Sequence, residues 1–368
     1  MAVEPDPALG LVRVLGDDGE IDPARDPGLS EHAKLRLFRE LLRVRRLDER
    51  LIALQRQGRI GFYGACFGQE AVPVAAALAI APEDWVFPAL RESSMLLVRG
   101  LSLVTYLAQL FGNERDLLKG RQMPSHQSAR SVHQVSWSSA IGTQLPQAVG
   151  MAWAARRRGD RAIAIAFLGD GATSHPDFHA ALNFAAVLDA PVVFVCQNNQ
   201  YAISVPAARQ TRSPSFAIKA RAYGLPGVRV DGNDALAVYR EIKLWSERAR
   251  REGQAVLLEC VTYRRGPHSS SDDPSRYRPA HEEQLWAARD PVARLRAHLT
   301  RAGILDDTLE HRLTQAIDDE IEAALREAED APPPPLSSLF DDVYARRPFH
   351  LEEQARSLVS RPRGGFET

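Results

Sequence analysis

Two short apolar runs near the middle of the chain have the composition of buried strands. Residues 162–168 read AIAIAFL and residues 192–196 read VVFVC. Between the two runs, apolar side chains recur at the spacing of one helical face, at Phe178, Ala181, Leu182, Ala185 and Leu188. A continuous apolar run indicates a strand that is covered on both sides. The order therefore predicts a strand–helix–strand crossover within a parallel sheet.

The same reading extends along the rest of the chain. Apolar periodicity predicts further strands over 85–87 and 255–263, and helices over 31–57, 69–80, 93–111 and 143–158. Charge-rich helices over 281–330 end at the proline run 332–335, and a short helical tail follows.

These elements predict an α/β fold, in which a parallel sheet with helices on both faces is followed by a helical C-terminal tail. We expect three parts. Residues 1–30, rich in Pro, Asp and Gly, form a loosely ordered N-terminal arm; residues 31–280 form the α/β domain; residues 281–368 form a helical C-terminal extension.

Composition narrows the class of protein. The 368 residues are 45% hydrophobic and 25% charged, with a formal net charge of −1, which argues against a nucleic-acid binder. No apolar run is long enough to span a bilayer, and the N-terminus shows no secretory signal. Three cysteines, Cys66, Cys196 and Cys260, have no metal-binding spacing. We therefore expect a cytoplasmic enzyme with reduced thiols.

Polar residues follow both central strands. Gly169-Asp170-Gly171 comes directly after the first run, and Asn198-Asn199 follows the second. Parallel strands place ligands at their carboxyl ends, so Asp170 and Asn199 offer oxygen ligands to one divalent cation at the same edge. Magnesium binds one or two protein carboxylates and completes its shell with phosphate and water. The flanking glycines let a phosphate approach the backbone.

The segments FLGDGATS (167–174) and QNNQYAIS (197–204) resemble the signature of thiamine-diphosphate enzymes. In particular they resemble the α subunit of the 2-oxo acid dehydrogenase decarboxylase component, and the similarity is greatest to its branched-chain member. The resemblance implies the thiamine-diphosphate-binding fold and magnesium. The cofactor contacts that it implies here are Gly169, Asp170, Gly171 and Ala172. The magnesium ligands that it implies are Asp170, Asn199 and the carbonyl of Tyr201.

A second site segment, residues 264–278, is polar and leaves the strand 255–263 at the same sheet edge. Its sequence resembles the catalytic loop of this family. The resemblance makes His268 the active-site histidine, which contacts the cofactor and hydrogen-bonds the oxo acid and the lipoyl group. The unperturbed pKa of histidine, about 6.5, suits proton transfer at neutral pH. Ser269 occupies the position that mitochondrial relatives phosphorylate.

Two further segments carry the resemblance with departures. Arg91 matches an arginine that holds the diphosphate, whereas Leu90 replaces the family's tyrosine. In the segment 138–148, the resemblance places Ser139 and the backbone of Ile141 at the cofactor. Whether a potassium ion binds near Ser139 and Thr143 stays an open question, because Ala140 replaces the family's proline. The candidate substrate-pocket residues are Phe62, Tyr63 and Ser269. For Phe62 and Tyr63, a place in the hydrophobic core is the alternative.

The predicted function is oxidative decarboxylation of branched-chain 2-oxo acids, with acyl transfer to a lipoyl domain. An α subunit of pyruvate or acetoin dehydrogenase is the alternative within the family; Asp272-Asp273 and the segment 201–204 favour the branched-chain member. A nicotinamide dehydrogenase would need a Gly-x-Gly-x-x-Gly motif after an early strand, which is not found. A catalytically inert cofactor-binding partner is disfavoured by His268 and Asp170.

The resemblance also implies partners. The family's glutamate for the aminopyrimidine ring comes from a second α/β domain, and the helical sequence after residue 280 leaves no room for one. We therefore expect two α and two β subunits, with the cofactor between them, docked on a lipoyl acyltransferase core. Apart from the 2-oxo acid substrate, neither nucleic acid nor membrane is an expected partner.

Overall fold

The computed structural model describes residues 10–269 and 272–360. Its main sheet contains five parallel strands, which are β1 (Trp85–Phe87), β2 (Ala164–Gly169), β3 (Val192–Asn198), β6 (Gly227–Asp231) and β7 (Val256–Val261). They lie side by side in the order β1-β2-β3-β7-β6. A short antiparallel hairpin, β4 (Tyr201–Ala202) and β5 (Val205–Pro206), follows β3. All carboxyl ends of the main sheet therefore lie along one edge.

Eleven α-helices lie within the described residues. In chain order they are α1 (Glu31–Arg56), α2 (Ala71–Ala79), α3 (Ser94–Val98), α4 (Leu103–Phe111), α5 (Gln144–Arg158), α6 (Pro176–Val187), α7 (Ala235–Glu252), α8 (Ala280–Ala287), α9 (Pro291–Arg301), α10 (Asp307–Glu329) and α11 (Phe349–Ser360). In that part of the chain, no helix is both long enough and apolar enough to cross a membrane.

Alternate side chains of β2 belong to two separate hydrophobic cores, one on each face of the sheet. Ile165 and Phe167 belong to the core that contains residues of α1, α2 and α7. Ala166 and Leu168, which point the other way, belong to the core formed with α5 and α6. The predicted parallel sheet with helices on both faces is confirmed.

The region 93–111 differs from the single predicted helix. The structure contains α3 and α4 there, separated by Gly100 in a left-handed conformation with φ +105°. Ser102 then caps α4 by accepting a hydrogen bond from the amide of Thr105. Apolar periodicity continues through this break, so it did not reveal the turn.

The sequence reading also missed one strand–helix unit, β6 followed by α7. Asp234 accepts hydrogen bonds from the amides of Leu236 and Ala237 and caps α7. The signal was present, since an aspartate stands before a run of apolar residues at helical spacing.

Residues 10–30 are more firmly held than the expected loose arm. Val12 pairs with Val230 at the edge of β6, and the amides of Val14 and Leu15 both donate to the buried carboxylate of Asp234. These long-range bonds fix a segment that has almost no regular structure of its own. Residues 1–9 of the predicted arm lie outside the described residues.

The helices after residue 280 pack on the α/β domain. Leu295 and Leu299 of α9 and Ile317 of α10 share one core with α1. Arg46 of α1 also binds both carboxylate oxygens of Asp318 on α10 at 2.8 Å. The C-terminal helices are thus continuous with the core that supports the sheet.

Candidate active site

A cavity of about 640 Å³ opens at the carboxyl ends of β2 and β3. Six segments of the chain line it, at residues 62–69, 89–92, 137–144, 168–176, 197–203 and 264–268. The predicted site residues that the structure brings together around it are Phe62, Arg91, Ser139, Ile141, Gly169, Asp170, Gly171, Ala172, Asn199, Tyr201 and His268.

Three predicted metal ligands, Asp170, Asn199 and Tyr201, form what we call the Asp170 corner. Gly169 pairs with Gln197 in the β2–β3 register, so the loops that carry Asp170 and Asn199 leave the sheet side by side. Gln200 adopts a left-handed conformation with φ +74° and turns the chain back at Tyr201. The corner therefore offers one carboxylate, one carboxamide and one backbone carbonyl, a set of hard oxygen ligands that suits magnesium.

The glycines of the corner have different surroundings. A Cβ on Gly171 would stand 2.6 Å from the Cβ of Ala202, because β4 packs directly on the turn after β2. A Cβ on Gly169 would meet no atom within 4 Å, although this residue lines the cavity. Bare backbone at Gly169 thus faces open space in which an anionic group can approach the amides.

Asp170 is 1% exposed, and burial raises the pKa of its carboxyl group. A hydrogen bond of 2.6 Å from Nε2 of Gln210 and the positive charge of Arg264 act in the opposite direction. The hydroxyl of Thr173 donates to the Asp170 carbonyl at 2.8 Å and closes the turn. Gln210 therefore holds the carboxylate, and Thr173 holds the backbone turn that carries it.

Several buried polar atoms around the cavity have no hydrogen-bond partner within the described residues. They are Nε2 of Gln69, Oε1 of Gln197 and Nε of Arg264. All three residues line the cavity. Buried polar groups are normally paired, so these atoms support a polar ligand in this space. Together with the oxygen ligands and the open backbone, they fit a magnesium–diphosphate group.

His268 also lines the cavity, on the segment after β7. Its amide donates to Oδ2 of Asp272 at 2.7 Å, and its carbonyl accepts from Nη2 of Arg91 at 2.9 Å. Partial burial, Arg91 and Arg264 together lower the pKa of the imidazole to about 4. Nη2 of Arg91 also lies 3.4 Å from Nδ1 of His268. Because a guanidinium only donates, Nδ1 is the acceptor and the ring proton is on Nε2.

Arg91 follows β1 and is almost fully buried. Burial, and then the charge of Arg264, lower the pKa of its guanidinium to about 10. Besides His268, Arg91 contacts the carbonyl of Ala65. Leu90 packs closely on Gly64, where an added Cβ would lie 3.0 Å from the leucine side chain. Leucine thus occupies apolar space where the family's tyrosine would carry a hydroxyl.

Ser139 and Ile141 lie on the rim of the cavity with different environments. Oγ of Ser139 is 3.1 Å from Nε2 of His126, whose ring stacks on Trp137. Ile141 is 56% exposed although it lines the cavity. The hydroxyl of Thr143 donates to the carbonyl of Ala140 at 3.0 Å, so the carbonyl oxygen of Ala140 already has a hydrogen-bond partner.

Two candidate substrate-pocket residues do not line the cavity. Tyr63 is buried, and its hydroxyl donates to Oδ1 of Asp48 at 2.5 Å, on the side of the core. The pocket role of Tyr63 stays a prediction, and this bond agrees with the alternative of a place in the core. Ser269 is adjacent to His268 but is not among the lining residues; its carbonyl accepts from the amide of Asp272 at 3.0 Å. Ser270 and Ser271 lie outside the described residues.

Sequence reasoning did not assign several residues at this cavity. Among them, Gln69, Glu92, Gln197 and Arg264 line it, and Gln210 contacts Asp170 without lining it. Gln197 is the penultimate residue of β3 and Arg264 follows β7, so their positions at the sheet edge could have revealed them. Glu92 is buried, and burial raises the pKa of its carboxyl group to about 7. Gln69 and Gln210 reach the site from distant segments, and no local pattern marks them.

The chain is similar to known proteins over most of its length. Residues 39–337 match the family described as "Dehydrogenase E1 component". The chain is 43% identical over 344 residues to the 2-oxoisovalerate dehydrogenase subunit alpha 2, mitochondrial, of Arabidopsis thaliana, which covers 93% of this chain and 73% of that protein.

Two other relatives extend the comparison to animals and bacteria. The Bos taurus protein named 2-oxoisovalerate dehydrogenase subunit alpha, mitochondrial, is 41% identical over 95% of this chain and 78% of its own length. The Pseudomonas aeruginosa protein named 2-oxoisovalerate dehydrogenase subunit alpha is 42% identical over 96% of this chain and 88% of its own length.

Proposed function

The chain belongs to the dehydrogenase E1 component family, and on that premise we propose that it is the α subunit of a branched-chain 2-oxo acid dehydrogenase. The reaction is the oxidative decarboxylation of 3-methyl-2-oxobutanoate and related acids, with transfer of the acyl group to a lipoyl group. The names of relatives that cover most of the chain support this substrate class over pyruvate. The observation that carries the proposal is the set of oxygen ligands gathered at the carboxyl ends of β2 and β3.

In this proposal the Asp170 corner binds the diphosphate of thiamine diphosphate through magnesium. Asp170, Asn199 and the carbonyl of Tyr201 are the metal ligands, and the backbone from Gly169 to Ala172 faces the phosphates. The bound cofactor supplies the electron sink for loss of carbon dioxide. The chain's part is to orient the reactants and to stabilise their charge.

Arg91 and His268 line the same cavity as the Asp170 corner. The guanidinium of Arg91 is the cationic fork for phosphate oxygens, and it also holds Nδ1 and the carbonyl of His268. With its lowered pKa, His268 is neutral at neutral pH and presents the proton on Nε2 to the cavity. That proton is placed to hydrogen-bond an oxo acid or an acyl acceptor.

A β subunit completes the site. Ile141 and Ile203 line the cavity, yet each is 56% exposed, so apolar surface stands at its mouth. A partner that covers this rim would exclude water from the reactants. We propose two α and two β subunits that dock on a lipoyl acyltransferase core. A cytoplasmic location agrees with the three free, buried cysteines.

Co-expression with a β subunit tests the proposal. Size-exclusion chromatography should show a complex of two α and two β chains, and only that complex should decarboxylate 2-oxo acids. Rates on pyruvate and on three branched-chain 2-oxo acids then decide the substrate. Equal decarboxylation by the purified α chain alone would contradict the heteromeric site, and a preference for pyruvate would contradict the substrate assignment.

A further inference from the structure

The segment after the β4–β5 hairpin contacts the Asp170 corner from outside the sheet. Gln210 donates from Nε2 to Oδ2 of Asp170 at 2.6 Å and to the carbonyl of Val205 at 2.9 Å. The second bond ties the amide to the end of the hairpin. The side chain of Gln210 thus has a fixed anchor on its own segment and reaches one oxygen of the carboxylate.

The same segment holds the turn that carries Asp170 at a second point. Nζ of Lys219 lies 2.8 Å from Oγ1 of Thr173, and that hydroxyl donates to the carbonyl of Asp170 at 2.8 Å. Gln210 therefore contacts the side chain of Asp170, while Lys219 supports its backbone. The two contacts come from opposite ends of residues 210–219.

A carboxylate that binds a metal through one oxygen must keep its plane fixed, because rotation about χ2 moves both oxygens. The bond from Gln210 engages Oδ2. It restricts that rotation and leaves the other oxygen for a ligand. Partners of this kind orient the side chains that bind metals and raise metal affinity.

We propose that Gln210 is a positioning residue for the metal site, which fixes the carboxylate of Asp170 for divalent-cation binding. This inference rests on the proposed function, since it takes Asp170 as a metal ligand. It assigns a role to a residue that lies outside both motifs at the sheet edge. In this role Gln210 acts through its hydrogen bond to Asp170.

The test uses the complex of α and β subunits with thiamine diphosphate and Mn²⁺, which replaces Mg²⁺ and is detected by electron paramagnetic resonance. Gln210→Met keeps the size of the side chain and removes the amide. We expect its Mn²⁺ affinity to fall by about tenfold or more, since a hydrogen bond to a charged group is lost. The KM for thiamine diphosphate at limiting metal should rise, and kcat at saturating metal should stay close to that of the wild type.

Gln315→Met is the matched control. Gln315 is an exposed residue of α10 whose amide also donates to an aspartate, Asp319, at 2.9 Å. This variant should bind Mn²⁺ like the wild type. Gln210→Ala gives a second removal of the amide, in case methionine disturbs the packing.

The outcomes separate the two claims. Absence of Mn²⁺ binding by the wild-type complex with thiamine diphosphate would overturn the proposed function. If the wild type binds Mn²⁺ and Gln210→Met and Gln210→Ala bind it equally well or more tightly, the positioning role is wrong. A fall in kcat at saturating metal with unchanged Mn²⁺ affinity would also contradict it, because that pattern indicates a merely structural role.

Discussion

The two sides of the cavity are built in different ways. Asp170 is 1% exposed and follows directly from β2, whose register with β3 sets its position. His268 is only partly buried and lies between β7 and α8, where the described residues form no strand. Backbone geometry thus determines the Asp170 corner, whereas side-chain hydrogen bonds determine the His268 side.

These hydrogen bonds form a short chain. Asp272 accepts from the amide of His268 at 2.7 Å and from the hydroxyl of Tyr277 at 2.5 Å, and Arg264 donates to that hydroxyl at 2.9 Å. A typical hydrogen bond contributes only about 1 kcal/mol net. Strand register therefore positions Asp170, whereas the position of His268 depends on a few polar bonds that one new charge can disturb.

The largest expected effect is on the Asp170 corner. Asp170→Ala removes the only carboxylate among the three proposed metal ligands, so thiamine diphosphate and Mg²⁺ should no longer bind in titration calorimetry, while the circular dichroism spectrum stays intact. Asp160→Ala, which changes an exposed aspartate, should bind like the wild type. Unchanged cofactor affinity in Asp170→Ala would remove the metal assignment.

The next effect separates the two sides. His268→Ala should still bind the cofactor, because the residues of the Asp170 corner do not depend on the side chain of His268 for their position. The rate of reductive acylation should fall by about 10²–10⁴-fold, as for loss of one proton-transfer or hydrogen-bonding group. His311→Ala, at an exposed histidine of α10, is the control. A loss of less than about threefold would refute the role of His268.

A smaller effect tests whether polar bonds set the histidine side. Ser269→Asp places a negative charge beside Asp272, whose carboxylate holds the amide of His268. We expect like-charge repulsion to loosen the segment and reduce turnover by about tenfold, for a cost of about 1.4 kcal/mol. Limited proteolysis should cut the variant faster between β7 and α8. Full activity, equal to that of an exposed control such as Ser337→Asp, would place Ser269 away from the site.

The smallest effect is on the pH dependence of stability. The pKa of His268 is lowered to about 4 in the folded chain, below about 6.5 in the unfolded chain. The unfolded state therefore binds more protons between these values, and stability is lost as the pH falls through this window. His268→Gln lacks this loss, so its Tm should fall less than that of the wild type between pH 7 and pH 5. Parallel Tm curves would show that the histidine is not held neutral.

Strand patterns locate the carboxyl ends of a parallel sheet, so the sequence could bring Asp170, Asn199 and His268 to one edge, and all three line the cavity. Their roles as metal ligands and catalytic residue stay predictions. The sequence could not locate Gln69 or Gln210, because their contacts with Asn199 and Asp170 span 130 and 40 residues. For Tyr63 it left the pocket and the core open, since an aromatic residue in a loop gives no sign that a buried carboxyl group such as Asp48 will bind its hydroxyl.

The most direct test of the central claim is anomalous diffraction from crystals of the complex with thiamine diphosphate and Mn²⁺. We predict one anomalous peak between the carboxylate of Asp170, the carboxamide of Asn199 and the carbonyl of Tyr201, with the diphosphate on the cavity side. A manganese peak elsewhere, or a cofactor bound without contact to these three residues, would contradict the assignment of the cavity.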